Sequence, residues 1–412
     1  MPAQPADDTL RYLRVFMAIA QTRSISRAAE RIFKAPSAVT RSLAQLEAQL
    51  GSALFERRPR GMLLNSYGEA VYQRSMRIHA EIHSAAQALA REQPASIDPA
   101  SLTQLLMSGN KLRIFVSLAE QQRISTVCQQ LALSKSGVLM SLARLEEAIG
   151  QQLFQRMAHG LVATDSAARL LLHARRAFAE IRHIQADLSA LHGSLRGTVT
   201  VGALPLCRTQ LLPAAIARTL ARHPGLKIRT CESPFAELAK GLHCGDIDFI
   251  FGALRHDDDS AHYTSQPLFR DEVAVFCRAG HPLSKLTPAS LEELGDAGWI
   301  LPRQDSPARQ AWQQAYAASG RSAPEPSVET GDLALVRSLL INSDLITACS
   351  PHQLHYELRS GQIVPLPLKL GNSRRDIGLT QRQGCPSSPA IEALLQEIRH
   401  CCAALTPLQL AA

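Results

Sequence analysis

The first apolar positions of the chain recur with the period of an α-helix. Leu13, Phe16, Met17 and Ala20 follow the spacing i, i+3, i+4, i+7, so they lie on one face of a helix. The opposite positions are mostly polar. The pattern therefore predicts that the chain begins with short amphipathic helices that pack against one another.

Two further helices, joined by a tight turn, are predicted after the first. Ser24 is a suitable N-cap for a helix over 26–33. Pro36 suits the first turn of the third helix, because the missing amide hydrogen of proline costs nothing there. This third helix is predicted to end near Gly51. Its inward face consists of Val39, Leu43, Leu46 and Leu50.

The outward face of the third helix carries the residue types that a DNA-reading helix needs. Ser37, Thr40 and Arg41 lie near its start, and such side chains can reach base edges in a major groove. The basic turn at 57–61 has the composition of a wing that contacts phosphate. Each arginine taken alone could equally well belong to a solvated helix face. The helices, the tight turn, the polar helix start and the basic turn together predict a helix-turn-helix over 25–44. The candidate DNA contacts are Ser26, Arg27, Pro36, Ser37, Thr40, Arg41, Arg57 and Arg60.

The same pattern occurs a second time, shifted by 99 positions without a gap. Residues 42–47 match 141–146, and residues 51–57 match 150–156. Because the identities keep one register, the chain is predicted to carry one module twice. The predicted bounds are 8–66 and 107–164 for the modules, 66–92 and 165–192 for the long helix after each, and 93–99 for the connecting linker.

The second copy lacks several polar residues of the first. The outward pair at 40–41 becomes Leu139-Met140, and these apolar side chains cannot offset the cost of desolvating phosphate. Lys135 and Ser136 still provide polar side chains that can reach DNA, so they are candidates for a second DNA contact. The copy is interpreted as a packing or dimerisation module or a weaker DNA contact, and a second reader for a different half-site stays open.

The second half of the chain changes to alternating strands and helices from Gly197 onward, which predicts an α/β domain over 195–412. In such sheets, ligands bind beyond the carboxyl ends of the strands. Ser306, at a helix start, would offer a hydroxyl and free amides to an anion, although a plain N-cap explains it too. The candidate effector-binding residues are Leu206, Cys207, Arg208, Gly252, Arg303, Ser306 and Ser350.

Residues 24–32, 37–43, 45–47 and 50–57 resemble the winged helix-turn-helix of LysR-type transcriptional regulators. The usual architecture of that family has a single winged helix, and here there are two. The resemblance implies a multidomain fold: two all-α winged helix-turn-helix modules with long linker helices, then an α/β periplasmic-binding-protein-like effector domain of two subdomains.

The resemblance also implies how these parts are arranged. Subdomain I would comprise 195–270 and 375–412, and subdomain II 271–374, with hinges near 268–274 and 366–378. In the family the long helix pairs antiparallel with its twin to make the dimer. Here the two long helices could pair within one chain or between chains.

Composition and charge agree with a DNA-binding protein. Residues 1–92 carry 13 Lys or Arg against 8 Asp or Glu, and clustered positive charge favours a polyanion partner. No run of 18 apolar residues and no secretory signal is present, so the cytoplasm is expected. The nine cysteines show no metal-site spacing, and buried reduced thiols are expected, with a redox sensor as the alternative.

The function predicted is a sequence-specific transcriptional regulator controlled by a small-molecule effector. The sequence has no G-x-S-x-G, Walker A, G-x-G-x-x-G or H-E-x-x-H motif, so neither an enzyme nor a metal or cofactor site is expected. The expected partners are double-stranded DNA, a small organic anion as effector, RNA polymerase, and further copies of the chain in a homo-oligomer. The alternative is a DNA-free sensor or scaffold that binds proteins through its winged helices.

Overall fold

The first winged-helix module is built from three helices and a two-stranded hairpin. The computed structural model describes residues 9–59, 61–92, 98–108, 110–158, 160–255, 262–285, 290–294 and 296–405. In the module these form α1 (Thr9–Thr22), α2 (Ile25–Arg31), α3 (Pro36–Leu50), β1 (Phe55–Arg58) and β2 (Gly61–Leu64), followed by the long helix α4 (Ser66–Glu92).

Local chemistry sets the ends of these helices. The Ser24 side chain caps α2 by accepting a hydrogen bond from the amide of Arg27, and Pro36 occupies the first turn of α3. Gly51 ends α3 with a φ of 71°, a left-handed conformation that favours glycine. The Glu47 carboxylate then accepts the amide hydrogen of Leu54 at 2.7 Å, which fixes the start of the wing.

The second module repeats this plan. It contains α5 (Pro99–Leu106), α6 (Lys111–Gln121), α7 (Ile124–Leu131), α8 (Lys135–Ile149), β3 (Phe154–Met157), β4 (Gly160–Ala163) and the long helix α9 (Asp165–Leu191). The Glu146 carboxylate accepts from Leu153 at 2.7 Å, as its counterpart does in the first module. Helix α5 was not predicted; it packs on α4, and Thr103 lies 3.1 Å from the ring of His83.

Both modules use a glycine where the wing crosses the turn after the first helix. Gly61 and Gly160 have positive φ, and a Cβ on either one would collide with a backbone carbonyl oxygen, that of Arg23 or Gln122. Only a glycine permits this close approach without a shift of the wing. The repeat in the sequence is thus a repeat of backbone geometry.

The two long helices α4 and α9 pair antiparallel within one chain. His192, just after α9, stacks on Tyr67 at the start of α4, with ring centroids 4.7 Å apart. Nearer the middle, Glu81 and His173 lie 2.8 Å apart. One continuous hydrophobic core joins both modules and both helices, with Phe16 and Phe115 fully buried at equivalent positions. The choice between intrachain and interchain pairing is therefore settled in favour of intrachain pairing in this structure.

The second half forms one eight-stranded sheet with helices on both faces. Its strand order is β10-β9-β11-β8-β12-β7-β5-β6. The strands are β5 (Gly197–Ala203), β6 (Leu226–Cys231), β7 (Phe249–Ala253), β8 (Tyr263–Arg278), β9 (Trp299–Leu301), β10 (Val328–Glu329), β11 (Ile346–Cys349) and β12 (Ile363–Arg382). The helices are α10 (Leu211–Arg222), α11 (Phe235–Cys244), α12 (Pro307–Ala318), α13 (Leu333–Asn342), α14 (His355–Arg359) and α15 (Pro389–Ala403).

The strands β8 and β12 divide this sheet into two subdomains. They run antiparallel to each other and belong to both halves, with parallel β5, β6 and β7 on one side and parallel β9, β10 and β11 on the other. These two strands are 16 and 20 residues long. The predicted hinges at 268–274 and 366–378 fall inside them, close to register shifts in β12.

Within the described part of the chain, no helix combines the length and apolar character that crossing a membrane requires.

Candidate DNA-reading and effector sites

The start of α3 presents a polar surface to solvent. Ser37, Thr40 and Arg41 are exposed, while Val39 and Leu43 on the opposite side are buried. The Thr40 hydroxyl donates to the carbonyl of Pro36 at 3.0 Å. No described segment covers these side chains, so a duplex can approach the helix start.

Three of the other candidate DNA contacts lie on α2 and at the start of α3. Ser26 and Arg27 in the first turn of α2 are exposed, and so is Pro36. Arg57 lies in β1, opposite Met62 on the hairpin; its side chain lies outside the described residues, and so does Arg60. The neighbouring Arg58 is exposed and pairs with Glu56 at 2.7 Å. Among the described residues, the exposed candidates thus lie on α2 and α3, and the exposed Arg58 lies on the hairpin.

The corresponding surface of the second module is also exposed. Lys135 and Ser136 begin α8 and face solvent. The Ser136 hydroxyl lies 3.1 Å from that of Ser134, which caps α8 by accepting from the amide of Gly137 at 3.1 Å. Met140 lies one turn further on and is 55% exposed.

A pseudo-twofold axis relates the two modules. The buried Arg74 donates to Glu180 at 2.8 Å, and Glu81 lies 2.8 Å from His173. A shift of 99 positions converts Arg74 into His173 and Glu81 into Glu180, so each ion pair is the counterpart of the other. The chain is therefore a covalent pseudo-dimer of winged helices, and the α/β domain is attached to one half only.

The α/β domain is fastened to α9 by polar contacts. Arg176 donates to the carbonyl of His243 at 2.7 Å, and Arg182 to that of Gly245 at 2.7 Å. His183 lies 3.1 Å from Asp248, which also accepts the amide of Thr200. Because these contacts involve only subdomain I, this subdomain and α9 form one unit.

The strand β12 connects the interior of the α/β domain with the helix pair. Arg375 on this strand pairs with the buried Asp271 at 2.9 Å. Seven residues later Arg382 reaches Glu180 at 3.8 Å and Glu81 at 3.9 Å. One strand thus carries an arginine in the cleft and an arginine beside α4 and α9.

A cleft of about 510 Å³ lies between the two subdomains, within the size range of small-molecule sites. Four of the predicted effector residues line it: Leu206, Arg208, Arg303 and Ser306. The Ser306 hydroxyl also caps α12 by accepting from the amide of Arg309 at 3.2 Å. The N-cap interpretation of Ser306 is therefore correct, and it coexists with a position on the cleft wall.

Three predicted effector residues do not line the cleft. Cys207 is fully buried, and its thiol donates to the carbonyls of Leu204 and Phe251. Gly252 packs against the side chain of Leu204, and the buried Ser350 hydroxyl donates to Asp271 at 2.8 Å. Cys207 and Ser350 follow strand ends, whereas Gly252 lies inside β7. All three are buried behind the cleft wall.

Several cleft residues were missed by the sequence reasoning. Arg255, whose guanidinium lies 5.2 Å from the ring centroid of Phe235, follows β7 by two residues, so the strand-end rule could have found it. Arg375 gave no such signal because it lies inside a long strand. Other lining residues include Glu232, Thr330, Asp332, Leu333, Val336 and Gln353.

Arg208 is a half-buried cation on the cleft wall. Its Nε donates to the carbonyl of Ala203 at 2.7 Å, and no ion pair to it is found among the described residues. Burial lowers the pKa of the Arg208 guanidinium, and the charge of Glu232 compensates only in part. Arg303 lines the cleft from the side of subdomain II, so an anion in the cleft would meet guanidinium groups from both subdomains.

None of the nine cysteines forms a disulfide, and the buried ones are held as thiols. Burial raises the pKa of Cys207 to about 12 and that of Cys277 to about 11. Thiols with such pKa values are poor nucleophiles at neutral pH. These two cysteines therefore behave as small core residues.

The geometry described so far is that of a DNA-binding regulator with a ligand-binding domain. The sequence model of the bacterial regulatory helix-turn-helix protein, lysR family, matches this chain twice, at residues 10–69 and 110–168. The model of the LysR substrate binding domain matches residues 192–403.

Full-length relatives give the same result. The HTH-type transcriptional regulator GalR from Pseudomonas putida is 43% identical over 391 residues, 95% of this chain and 96% of the relative. PcaQ from Agrobacterium fabrum is 26% identical over 70% of this chain and 93% of its own.

Among solved structures, a full-length OxyR variant from Pseudomonas aeruginosa matches with a TM-score of 0.54 and 21% identity, over 70% of this chain and 93% of that chain. CbnR, a LysR family transcriptional regulator, gives a TM-score of 0.51 and 16% identity, over 71% and 98%. These two show the fold.

The chain belongs to the LysR family of transcriptional regulators. The predicted family, multidomain fold and regulatory function are confirmed: a helix-turn-helix that binds DNA and an effector-binding domain. More than nine-tenths of PcaQ, OxyR and CbnR aligns with about seven-tenths of this chain. The unaligned part of this chain is long enough for one additional module.

Proposed function

We propose that the first module makes sequence-specific contacts with DNA. The observation that carries the proposal is the exposed polar start of α3, where Ser37, Thr40 and Arg41 face solvent. In this arrangement α3 enters a major groove, Arg41 bonds a base edge or phosphate, and Ser26 and Arg27 contact the backbone. The basic wing at 57–61 holds the adjacent phosphates.

The experiment is a gel shift and footprint with the intact protein, compared with its Arg41→Ala and Lys135→Ala variants. Arg41→Ala is expected to weaken binding by about 1–3 kcal/mol if the guanidinium reads a base, or to reduce the salt dependence by about one unit of slope if it contacts phosphate. An unchanged affinity and salt slope would contradict the proposal. Lys135→Ala measures the contribution of the second module separately.

We further propose that the effector is a small organic anion with an apolar body. Arg208 and Arg303 on the cleft wall would bind its charged group, with help from the start of α12 at Ser306. The apolar side of the cleft, including Leu206 and Phe235, would hold the body. The proposal adds no metal or cofactor and no catalytic step, since the relatives are transcriptional regulators.

Effector binding would act by moving subdomain II. Subdomain I and α9 form one unit, so closure of the cleft displaces the other subdomain through β8 and β12. The carboxyl end of β12 brings Arg382 to Glu180 and Glu81, on α9 and α4. A shift of this strand would change the relation between the two long helices and therefore the spacing of the modules on DNA. The regulator would act in the cytoplasm, and a contact with RNA polymerase would turn this change into altered transcription.

A further inference from the structure

The pseudo-twofold axis gives the second module a defined place relative to the first. The ion pairs Arg74–Glu180 and Glu81–His173 are equivalent across the axis. The recognition helices also end alike, with φ values of 71° at Gly51 and 68° at Gly150. In twofold pairs of helix-turn-helix modules, both recognition helices face the same duplex. When α3 occupies one half-site, α8 is therefore presented to the same DNA.

The chemistry of that second surface differs from the first. Met140 and Met157 occupy the positions of Arg41 and Arg58, and they are 55% and 56% exposed. Leu139, in the place of Thr40, is half-buried. In the second module, flexible apolar side chains thus stand in the place of two outward guanidinium groups, and these side chains remain exposed to solvent. Large apolar side chains kept at exposed positions commonly mark a contact surface.

Basic residues remain around this apolar surface. Lys135 at the start of α8, Arg144 on the same helix and Arg156 in β3 are all exposed. These side chains can neutralise phosphates on either side of a groove. A protein partner would also accept an apolar surface, but the pseudo-twofold placement and the surrounding positive charge favour DNA.

We propose that the second module reads thymine methyl groups, so that one chain recognises an asymmetric operator. The first half-site is read by the polar and guanidinium side chains of α3. In the second, Leu139 and Met140 contact thymine C5-methyl groups in the major groove, the apolar feature that distinguishes thymine there. The unbranched methionine adapts to the position of the methyl group, while Lys135, Arg144 and Arg156 hold the backbone. This inference rests on the proposed DNA-reading role of the first module.

The test starts from an operator selected from random duplexes with the intact protein and mapped by footprinting. Deoxyuridine, which lacks only the C5 methyl group, then replaces thymine in one half-site at a time. Loss of one buried methyl contact is worth about 0.8 kcal/mol, so affinity is expected to fall about fourfold for each contacted thymine of the second half-site. Met140→Ala should weaken binding to the thymine operator and reduce the sensitivity to deoxyuridine to the part that Leu139 provides.

Met76→Ala is the matched control, because Met76 is an exposed methionine on α4, away from both recognition helices. It should leave the affinity and the deoxyuridine effect unchanged. Equal binding of thymine and deoxyuridine operators would overturn the inference, and so would a footprint confined to the first half-site, which would instead assign the apolar surface to a protein. Neither result affects the first module, whose failure would appear as full affinity in the Arg41→Ala variant.

Discussion

Arg208 shows at the scale of one residue how the sensor can select a ligand. Its guanidinium is half-buried, it is oriented by the carbonyl of Ala203, and burial lowers its pKa. A cation in this environment is stabilised when a ligand brings a negative charge, because hydrogen bonds to charged groups are worth about 1.5–3 kcal/mol. The residue therefore favours an acid over a neutral ligand of the same shape.

The Arg208→Gln variant is expected to bind carboxylates with an apolar body roughly ten- to a hundredfold more weakly than the native protein does. The corresponding amides should bind both proteins equally, since they carry no charge. Titration calorimetry of the intact protein with a panel of monocarboxylates and their amides measures this difference.

Lys240→Gln serves as the control, because Lys240 is an exposed residue on α11 that pairs with Glu237. If the native protein bound acids and amides equally well, or bound no acid of the panel, the proposal of an anionic effector would be refuted.

At the scale of elements, the pairing of α4 and α9 depends on a buried ion network. Arg74 and Glu180 expose 4% and 3% of their side chains, and Arg74 also pairs with Asp187 at 2.7 Å. Burial alone would lower the pKa of Arg74, but the hydrogen bonds and charges of Asp187 and Glu180 outweigh it and raise the pKa. Each charge in the network therefore depends on its partners.

Replacement of Arg74 by alanine should destabilise the protein by about 3–5 kcal/mol, because it leaves the carboxylate of Glu180 buried without its main partner. Urea denaturation followed by helical circular dichroism measures the loss. Lys240→Ala removes an exposed pair and should change stability by less than about 1 kcal/mol. Equal effects of the two substitutions would show that the network contributes no more than a surface pair.

The stability of the helix pair should also depend on pH through Glu81. Burial tends to raise the pKa of Glu81, but the hydrogen bond to His173 and the charges of Arg176, His173 and Arg382 outweigh it and hold the pKa below 4.5. A carboxyl with a lowered folded pKa stabilises the protein above its unfolded pKa, and that stability is lost as pH falls through the folded pKa.

Native protein should therefore lose more stability than Glu81→Gln as the pH is lowered from 6 through ~4.5 and below. Urea midpoints measured at each pH provide the comparison, and Glu237→Gln on exposed α11 is the control. Parallel stability curves for native protein and Glu81→Gln would rule out this role of the carboxyl.

At the scale of the whole molecule, the long helices are already paired within one chain. In the usual architecture with a single winged helix, this surface joins two chains. Here α4 and α9 cover each other, so a homo-oligomer must use a different surface. We expect that surface to lie on the α/β domain, which has no counterpart on the other side of the pseudo-twofold axis.

The prediction is tested with a mixture of ¹⁴N- and ¹⁵N-labelled chains. Light scattering gives the oligomer mass, and mass spectrometry of mixed-isotope cross-links identifies contacts between chains. These cross-links are expected within 195–405, whereas cross-links between α4 and α9 should join peptides of one isotope. Mixed-isotope links between α4 and α9 would mean that the helices exchange between chains.

Local chemistry made most helices predictable from the sequence. Ser24, Pro36 and Gly51 mark helix ends through hydrogen bonds and backbone preferences that involve only neighbouring residues. The apolar period likewise identified Val39, Leu43 and Leu46 as inward and left Ser37 and Arg41 outward. The effector site was only partly predictable: strand ends located Arg208 and Ser306, but not which neighbouring side chains turn into the core.

The sequence by itself determined the repeated module, the polar start of α3 and the alternation of strands and helices, because each depends on short-range periodicity. Tertiary structure alone decided that α4 pairs with α9 of its own chain, that Cys207 faces the core, and that Arg375 enters the cleft from the middle of a strand. The physical reason is the separation of the contacting residues along the chain: Arg74 and Glu180 lie 106 positions apart. An apolar helix face fits a partner helix from its own chain or from another chain equally well, and the rest of the fold decides which partner helix lies near it.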